Sequence, residues 1–197
     1  KVLPGLTARP GRPFGLYIHV PFCATRCGYC DFNTYTPAEL GGVDSPAPPG
    51  GGTQEGWLAA LRAELRLAAA HLGEAPDVQT VFVGGGTPSL LGAAGLTTVL
   101  DSVREHFTLA PDAEVTTESN PESTSPDFFA RLRTAGFTRL SLGMQSTAPH
   151  VLAALDRAGA ANNTIVIFTS DNGGERFSDT WPFIGQKGEL LEGGIRV

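Results

Sequence analysis

The sequence predicts an α/β fold built on a parallel sheet. Short β-branched, apolar runs recur along the chain, segments with leucines near helical spacing lie between them, and the runs end in glycine or polar residues suited to turns. The first strand is Gly15 to Val20 (Gly-Leu-Tyr-Ile-His-Val). Residues 36 to 53, with Pro46, Pro48, Pro49 and Gly50 to Gly52, read as a flexible surface excursion. A helix follows over residues 55 to 72, where Leu58, Leu61, Leu65 and Leu72 mark a core-facing side. Strand Val78 to Val83, a helix near 93 to 106, strand 113 to 118, a helix over 126 to 135 and strand 138 to 142 complete the alternation. Residues 163 to 169 (Asn-Thr-Ile-Val-Ile-Phe-Thr) are suited to dock as one more buried parallel strand. The residues after 173 have no evident partner and are expected to pack loosely.

With 197 residues, 41% of them hydrophobic, the chain is long enough to bury a core. A formal net charge of -6 without clustered Lys and Arg argues against binding a phosphate backbone, so no nucleic acid partner is expected. No apolar run approaches membrane-spanning length and no basic and apolar leader opens the chain, so the expected location is the cytoplasm.

The chemistry concentrates in three cysteines, Cys23, Cys27 and Cys30, spaced C-x3-C-x2-C directly after the first strand. A cubane iron-sulfur cluster wants four ligands, so three thiolates leave one iron open to another group. Zinc is the competing reading, with His19 as a fourth ligand, although structural zinc usually takes a second, distant C-x2-C pair. That pair is absent, and the odd cysteine count also argues against a disulfide framework.

Five ordered segments carry a resemblance over about residues 14 to 157: Tyr17-Ile-His-Val-Pro-Phe-Cys23, Cys27-Gly-Tyr-Cys30-Asp-Phe32, Gly84-Gly-Gly-Thr-Pro-Ser89, Glu118-Ser-Asn-Pro121 and Leu142-Gly-Met-Gln-Ser146. Together they resemble the radical S-adenosylmethionine (SAM) enzymes, and within them the HemW-like, haem-chaperone branch of the oxygen-independent coproporphyrinogen III oxidase family. The resemblance implies a partial parallel (β/α) barrel over residues 1 to 157. It also implies a 4Fe-4S cluster on Cys23, Cys27 and Cys30, with SAM on the open iron. By the same resemblance Tyr17, Tyr29, Gly85, Gly86, Thr87, Glu118 and Gln145 contact SAM, and Arg157 lies near its carboxylate. Haem, a haem-accepting protein and an electron donor protein are the further partners it implies. True oxidases of the family carry another cysteine two residues after the third, where this chain has Phe32. Haem binding and transfer is therefore expected rather than decarboxylation of a porphyrinogen.

Physical sense attaches to these residues without the family. Glycines after a strand let backbone approach a ligand closely, although three glycines alone are ordinary turn material. Glu118 and Gln145 follow strands at the end where barrels expose functional groups, and an amide such as Gln145 both donates and accepts. Such residues form a cradle, since a cofactor of this kind carries the chemistry itself.

The last forty residues differ. Residues 163 to 174, ending in Thr-Ser-Asp-Asn-Gly-Gly, and residues 185 to 197 resemble the type I sulfatases. The resemblance makes Asp171 and Asn172 ligands of a divalent cation such as calcium and sets Lys187 against the sulfate, in keeping with hard oxygen ligands and an ammonium facing an oxyanion. The Cys/Ser-x-Pro-x-Arg segment and the earlier acidic pair of a working sulfatase are missing, and a turn after a strand is the plain reading of Asp171 to Gly174. The two resemblances meet at residues 151 to 157, which divides the chain into a radical SAM part, 1 to 157, and a sulfatase-like fragment, 158 to 197. The readings to be weighed are a radical SAM protein of haem or porphyrin metabolism, a sulfuric ester hydrolase fragment, and an inert composite of two truncated domains.

Overall fold

In a computed structural model of the chain the described residues are 11–26, 32–40, 52–73 and 75–143, all belonging to one compact unit. The element order is β1 (Gly15–Val20), α1 (Pro37–Leu40), α2 (Gln54–Leu72), β2 (Val78–Gly85), α3 (Gly92–Arg104), β3 (Leu109–Ser119), α4 (Pro126–Ala135) and β4 (Arg139–Leu142), with 3-10 turns at Pro88–Leu91 and Pro121–Ser123. The four strands lie side by side in chain order and every pair is parallel. Each connection is thus a crossover, and crossovers of one hand running in one direction put the helices on one face. The helices bear this out, with α2 packed against α3 and α3 against α4.

Side-chain alternation along the strands then sorts the two faces. Ile18 and Val20 of β1, Val81 and Val83 of β2, and Val115 of β3 are buried. They share a core with Leu61 and Leu65 of α2, with Leu96, Val99, Leu100 and Val103 of α3, and with Phe128 and Leu132 of α4. On the opposite face Tyr17, Phe82 and Thr116 stand in register, followed one step along by His19, Gly84 and Glu118. The register thus delivers the functional residues to one face and the hydrophobic ones to the other. Leu100 has no exposed surface. Its replacement by alanine is expected to destabilise the fold by about 2–5 kcal/mol, read as a lowered urea midpoint with an unchanged slope.

The helices start and stop where local chemistry directs. Thr53 caps α2 by accepting from the Gly56 N–H at 3.0 Å, and Ser125 caps α4 by accepting from the Phe128 N–H at 3.1 Å ahead of Pro126. Gly136 ends α4 in the left-handed region at φ 109°.

Two expectations need correction. Strand β3 begins at Leu109 rather than 113, because its ladder to β2 slips between Val78 and Thr80 and the irregularity absorbs Pro111, whose missing N–H would break a regular ladder. The excursion expected from residue 36 opens instead with the helical turn α1, held by its own side chains. Residues 41–51 lie outside the described residues, as do the further strand, the loosely packed extension and the boundary between 157 and 158 expected from the sequence.

Candidate functional site: the C-terminal rim of the sheet

Parallel strands point all their C-terminal ends to one edge, and the residues beyond those ends form a rim. From β1 the chain passes through Pro21 and Phe22 to Cys23. The Tyr35 N–H donates to the Pro21 carbonyl at 2.7 Å and the Cys23 N–H donates to the Tyr35 carbonyl at 3.0 Å. These bonds bridge Phe22 to Tyr35 and close the cysteine-bearing loop at its neck. Arg26 adds a second tie, donating from Nη2 to the Thr34 carbonyl at 2.7 Å and to Glu39 Oε1 at 2.9 Å. Oε2 of Glu39 accepts from both the N–H and the hydroxyl of Thr36, at 2.7 and 2.9 Å.

Those bonds, first the Thr36 N–H, then its hydroxyl, with Arg26 adding to them, hold the Glu39 carboxyl below its usual range. A depressed folded pKa means the tie is complete above the unfolded carboxylate value and fades as pH falls through the folded one. The Thr36 amide is accordingly expected to lose hydrogen-exchange protection on acidification below the ordinary glutamate range, and Glu39→Gln to lack that acid limb. An identical acid limb in both proteins would contradict this.

The turn after β2 sits directly on the neck. The Gly86 N–H donates to the Val20 carbonyl at 2.8 Å and the Thr87 N–H to the Phe22 carbonyl at 2.7 Å. A Cβ on Gly86 would fall 2.5 Å from the Phe22 oxygen and 3.0 Å from Cys23 Sγ. Gly85 has φ 117°, and a Cβ there would meet the His19 ring at 2.7 Å. These close approaches demand glycine at both positions. The hydroxyl of Thr87 faces Cys23 Sγ at 3.9 Å, a weak contact, and the sulfur has no strong partner among the described residues.

Glu118 closes the rim from the β3 side, its Oε2 accepting from the Gly85 N–H at 2.9 Å. Tyr17 stacks on Phe82 with ring centroids 6.0 Å apart and is 61% exposed. Burial of the hydroxyl first, and the charge of Glu118 second, push its pKa above the usual phenol value. It is therefore a neutral O–H donor at physiological pH, and it meets His19 Nδ1 at 3.1 Å. His19 Nε2 lies 2.8 Å from the Asn33 carbonyl, which only accepts, so the proton sits on Nε2 and Nδ1 receives the Tyr17 hydroxyl. Both ring nitrogens of His19 are thus engaged by its neighbours.

The chain is similar to known proteins in sequence and in fold. The family model described as the radical SAM superfamily matches residues 17–168. The chain belongs to the radical SAM superfamily. It is 70% identical over 155 residues to the protein named heme chaperone HemW of Mycobacterium tuberculosis, covering 79% of this chain and 37% of that protein. Its identity to Escherichia coli heme chaperone HemW is 38% over 145 residues, 74% of this chain and 35% of that protein. Among solved structures it is similar to the coproporphyrinogen III oxidase HemN of Escherichia coli, described as a radical SAM enzyme, at TM-score 0.60 and 27% identity, covering 77% of this chain and 35% of that one. These similarities put it on the HemW-like side of the radical SAM superfamily, and the chain spans little more than a third of the length of these relatives.

Of the radical SAM residues expected from sequence, the fold brings Tyr17, Cys23, Gly85, Gly86, Thr87 and Glu118 to one rim. Cys27, Tyr29, Cys30, Gln145 and Arg157 lie outside the described residues, as do Asp171, Asn172 and Lys187 of the sulfatase-like reading. With Cys27 and Cys30 outside, no group of three metal-ligating side chains is assembled among the described residues. Phe32 is 56% exposed where the oxidases' further cysteine is expected. Sequence reasoning missed Arg26 and Glu39, which brace the loop, and Ser89, Asn120 and Ser123, discussed below. Nothing in their spacing announces these roles, because each depends on a partner between 3 and 34 residues away.

Proposed function

We propose that this chain binds a 4Fe-4S cluster through Cys23, Cys27 and Cys30, and SAM along the rim of Tyr17, Gly85, Gly86, Thr87 and Glu118, with Tyr29, Gln145 and Arg157 as its further contacts, in the service of haem handling. The observation that carries the proposal is the seating of the glycine turn on the cysteine neck, with Thr87 N–H bonded to Phe22 and no room for a side chain at Gly86. The residues fit the groups: among the described residues Cys23 offers a thiol without a strong competing partner, and the backbone at Gly86 beside it is bare enough for close approach.

When bound, the cluster and SAM supply one-electron cleavage of a carbon–sulfur bond. The chain's residues position and shield. The neck fixes where Cys23 emerges from β1. Glu118, held by Gly85, keeps a carboxylate at the rim for a cationic amine, and the Tyr17–Phe82 stack offers an apolar wall beside it. No helix among the described residues is long and apolar enough to cross a membrane, and we place the protein's work in the cytoplasm. The similarity to the HemW heme chaperones and the exposed Phe32 support haem transfer over decarboxylation, with a haem-accepting protein and an electron donor as partners.

Anaerobic iron-sulfur reconstitution followed by calorimetry with SAM tests this. Brown protein that takes up one SAM per chain is expected. Brown protein that takes up none would mark an inert composite, and zinc in oxygen-free material would overturn the cluster.

A further inference from the structure

Among the described residues the Glu118 carboxylate is held at the rim by one hydrogen bond, from the Gly85 N–H, and it stands near the end of β3. On the β4 side Ser119, next in sequence, pairs with Leu142 and accepts from the Gly143 N–H at 3.0 Å, while its buried hydroxyl has no hydrogen-bond partner among the described residues. On the β2 side the tie comes from the following residue. Asn120 donates its N–H to Ser89 Oγ at 3.0 Å, and its carbonyl accepts from Ser123 Oγ at 2.9 Å. The two serine oxygens lie 2.5 Å apart.

Only one arrangement of protons satisfies all three bonds. The Ser123 hydroxyl is committed to the Asn120 carbonyl, so the Ser89 hydroxyl must be the donor between the serines while its oxygen receives the Asn120 N–H. Both backbone groups of Asn120 are thereby tied to hydroxyls, one of them on the turn Pro88–Leu91. That turn is anchored, with Pro88, Ser89 and Leu91 all buried. It is also the continuation of the glycine turn. The β2 and β3 ends are consequently joined twice, at Gly85–Glu118 ahead of the turn and at Ser89–Asn120 behind it.

We propose that Ser89 and Ser123 form a hydroxyl clamp that positions the Glu118 carboxylate against Gly85, making them positioning residues for the ligand of the rim. The clamp deepens the SAM reading and, for its consequence on binding, rests on it. Its effect on Gly85 does not.

The first arm of the test therefore uses cluster-free protein. In Ser89→Ala the Asn120 amide loses its acceptor and must lose exchange protection. The proposal expects the Gly85 amide, which Ser89 does not touch, to lose protection by tenfold or more as well, at a thermal midpoint far above the measuring temperature. Ser123→Ala should do the same to a lesser degree, and Ser123→Thr, which keeps the hydroxyl, should restore Gly85. Unchanged Gly85 protection in both alanine variants overturns the clamp, and so does a Ser123→Thr variant that behaves like Ser123→Ala. The second arm is SAM calorimetry on reconstituted protein. Wild-type binding with a tenfold weaker Ser89→Ala, at equal iron content, is expected. Absence of binding in the wild type would sink the SAM reading while leaving the first arm to decide the clamp. Equal binding in the two proteins would sink the ligand role of the clamp alone.

Discussion

Gly86→Ala is expected to disable the rim and to destabilise the unit together. A Cβ at this position meets the backbone oxygen of Phe22 at 2.5 Å, and a backbone atom in a bridged neck cannot swing aside as a side chain can. Relief requires the turn to lift, which strains the Thr87-to-Phe22 hydrogen bond and the Gly86-to-Val20 bond with it. Overpacking of this kind costs about 1–3 kcal/mol, and loss of a hydrogen bond adds about 1 kcal/mol. The expected result is a urea midpoint lowered accordingly in cluster-free protein, with little iron retained after reconstitution. Because Cys23 Sγ lies 3.0 Å from the same Cβ, iron retention should suffer even where the fold survives. An alanine variant with wild-type midpoint and iron content would mean that the turn does not sit on the neck.

Cys23→Ala is expected to lose the chromophore while keeping the fold. Cys23 is half-buried, and among the described residues its sulfur makes only the weak Thr87 hydrogen bond, so a small apolar residue fits the space. The neck is held by the backbone of residue 23 rather than its sulfur. Removing one of three thiolates leaves two irons of a cubane without a protein ligand, and iron should fall from about four per chain to a small fraction of that. Circular dichroism should remain close to wild type. The companion His19→Gln separates cluster from zinc. It should keep its iron, since both nitrogens of His19 are already spent on Tyr17 and Asn33, whereas a site that used His19 as a ligand would lose metal. Full iron in Cys23→Ala would remove Cys23 from the ligand set.

The alternation of β-branched runs with helical leucines was readable because packing a parallel sheet against helices imposes composition on whole segments. Strand β2 and helix α4 needed no more than that. Strand β3 runs four residues further back than its β-branched segment, and only the slipped ladder to β2 shows how the strand absorbs Pro111. The turn α1 was hidden for a related reason, its stability resting on Thr36, Glu39 and Arg26, which are meaningful only as a set.

Cys23, Gly85, Gly86, Thr87, Glu118 and Tyr17 were singled out in the sequence through the resemblance that their ordered motifs carry. Their meeting at one rim was not legible there. It follows from four parallel strands in chain order, a register that puts Tyr17, Phe82 and Thr116 abreast, and a bridge between Phe22 and Tyr35. Local sequence can name a thiol, a glycine or a carboxylate, since those properties belong to single residues. Which nitrogen of His19 holds the proton, and which serines hold Asn120, are properties of pairs that the chain brings together only on folding.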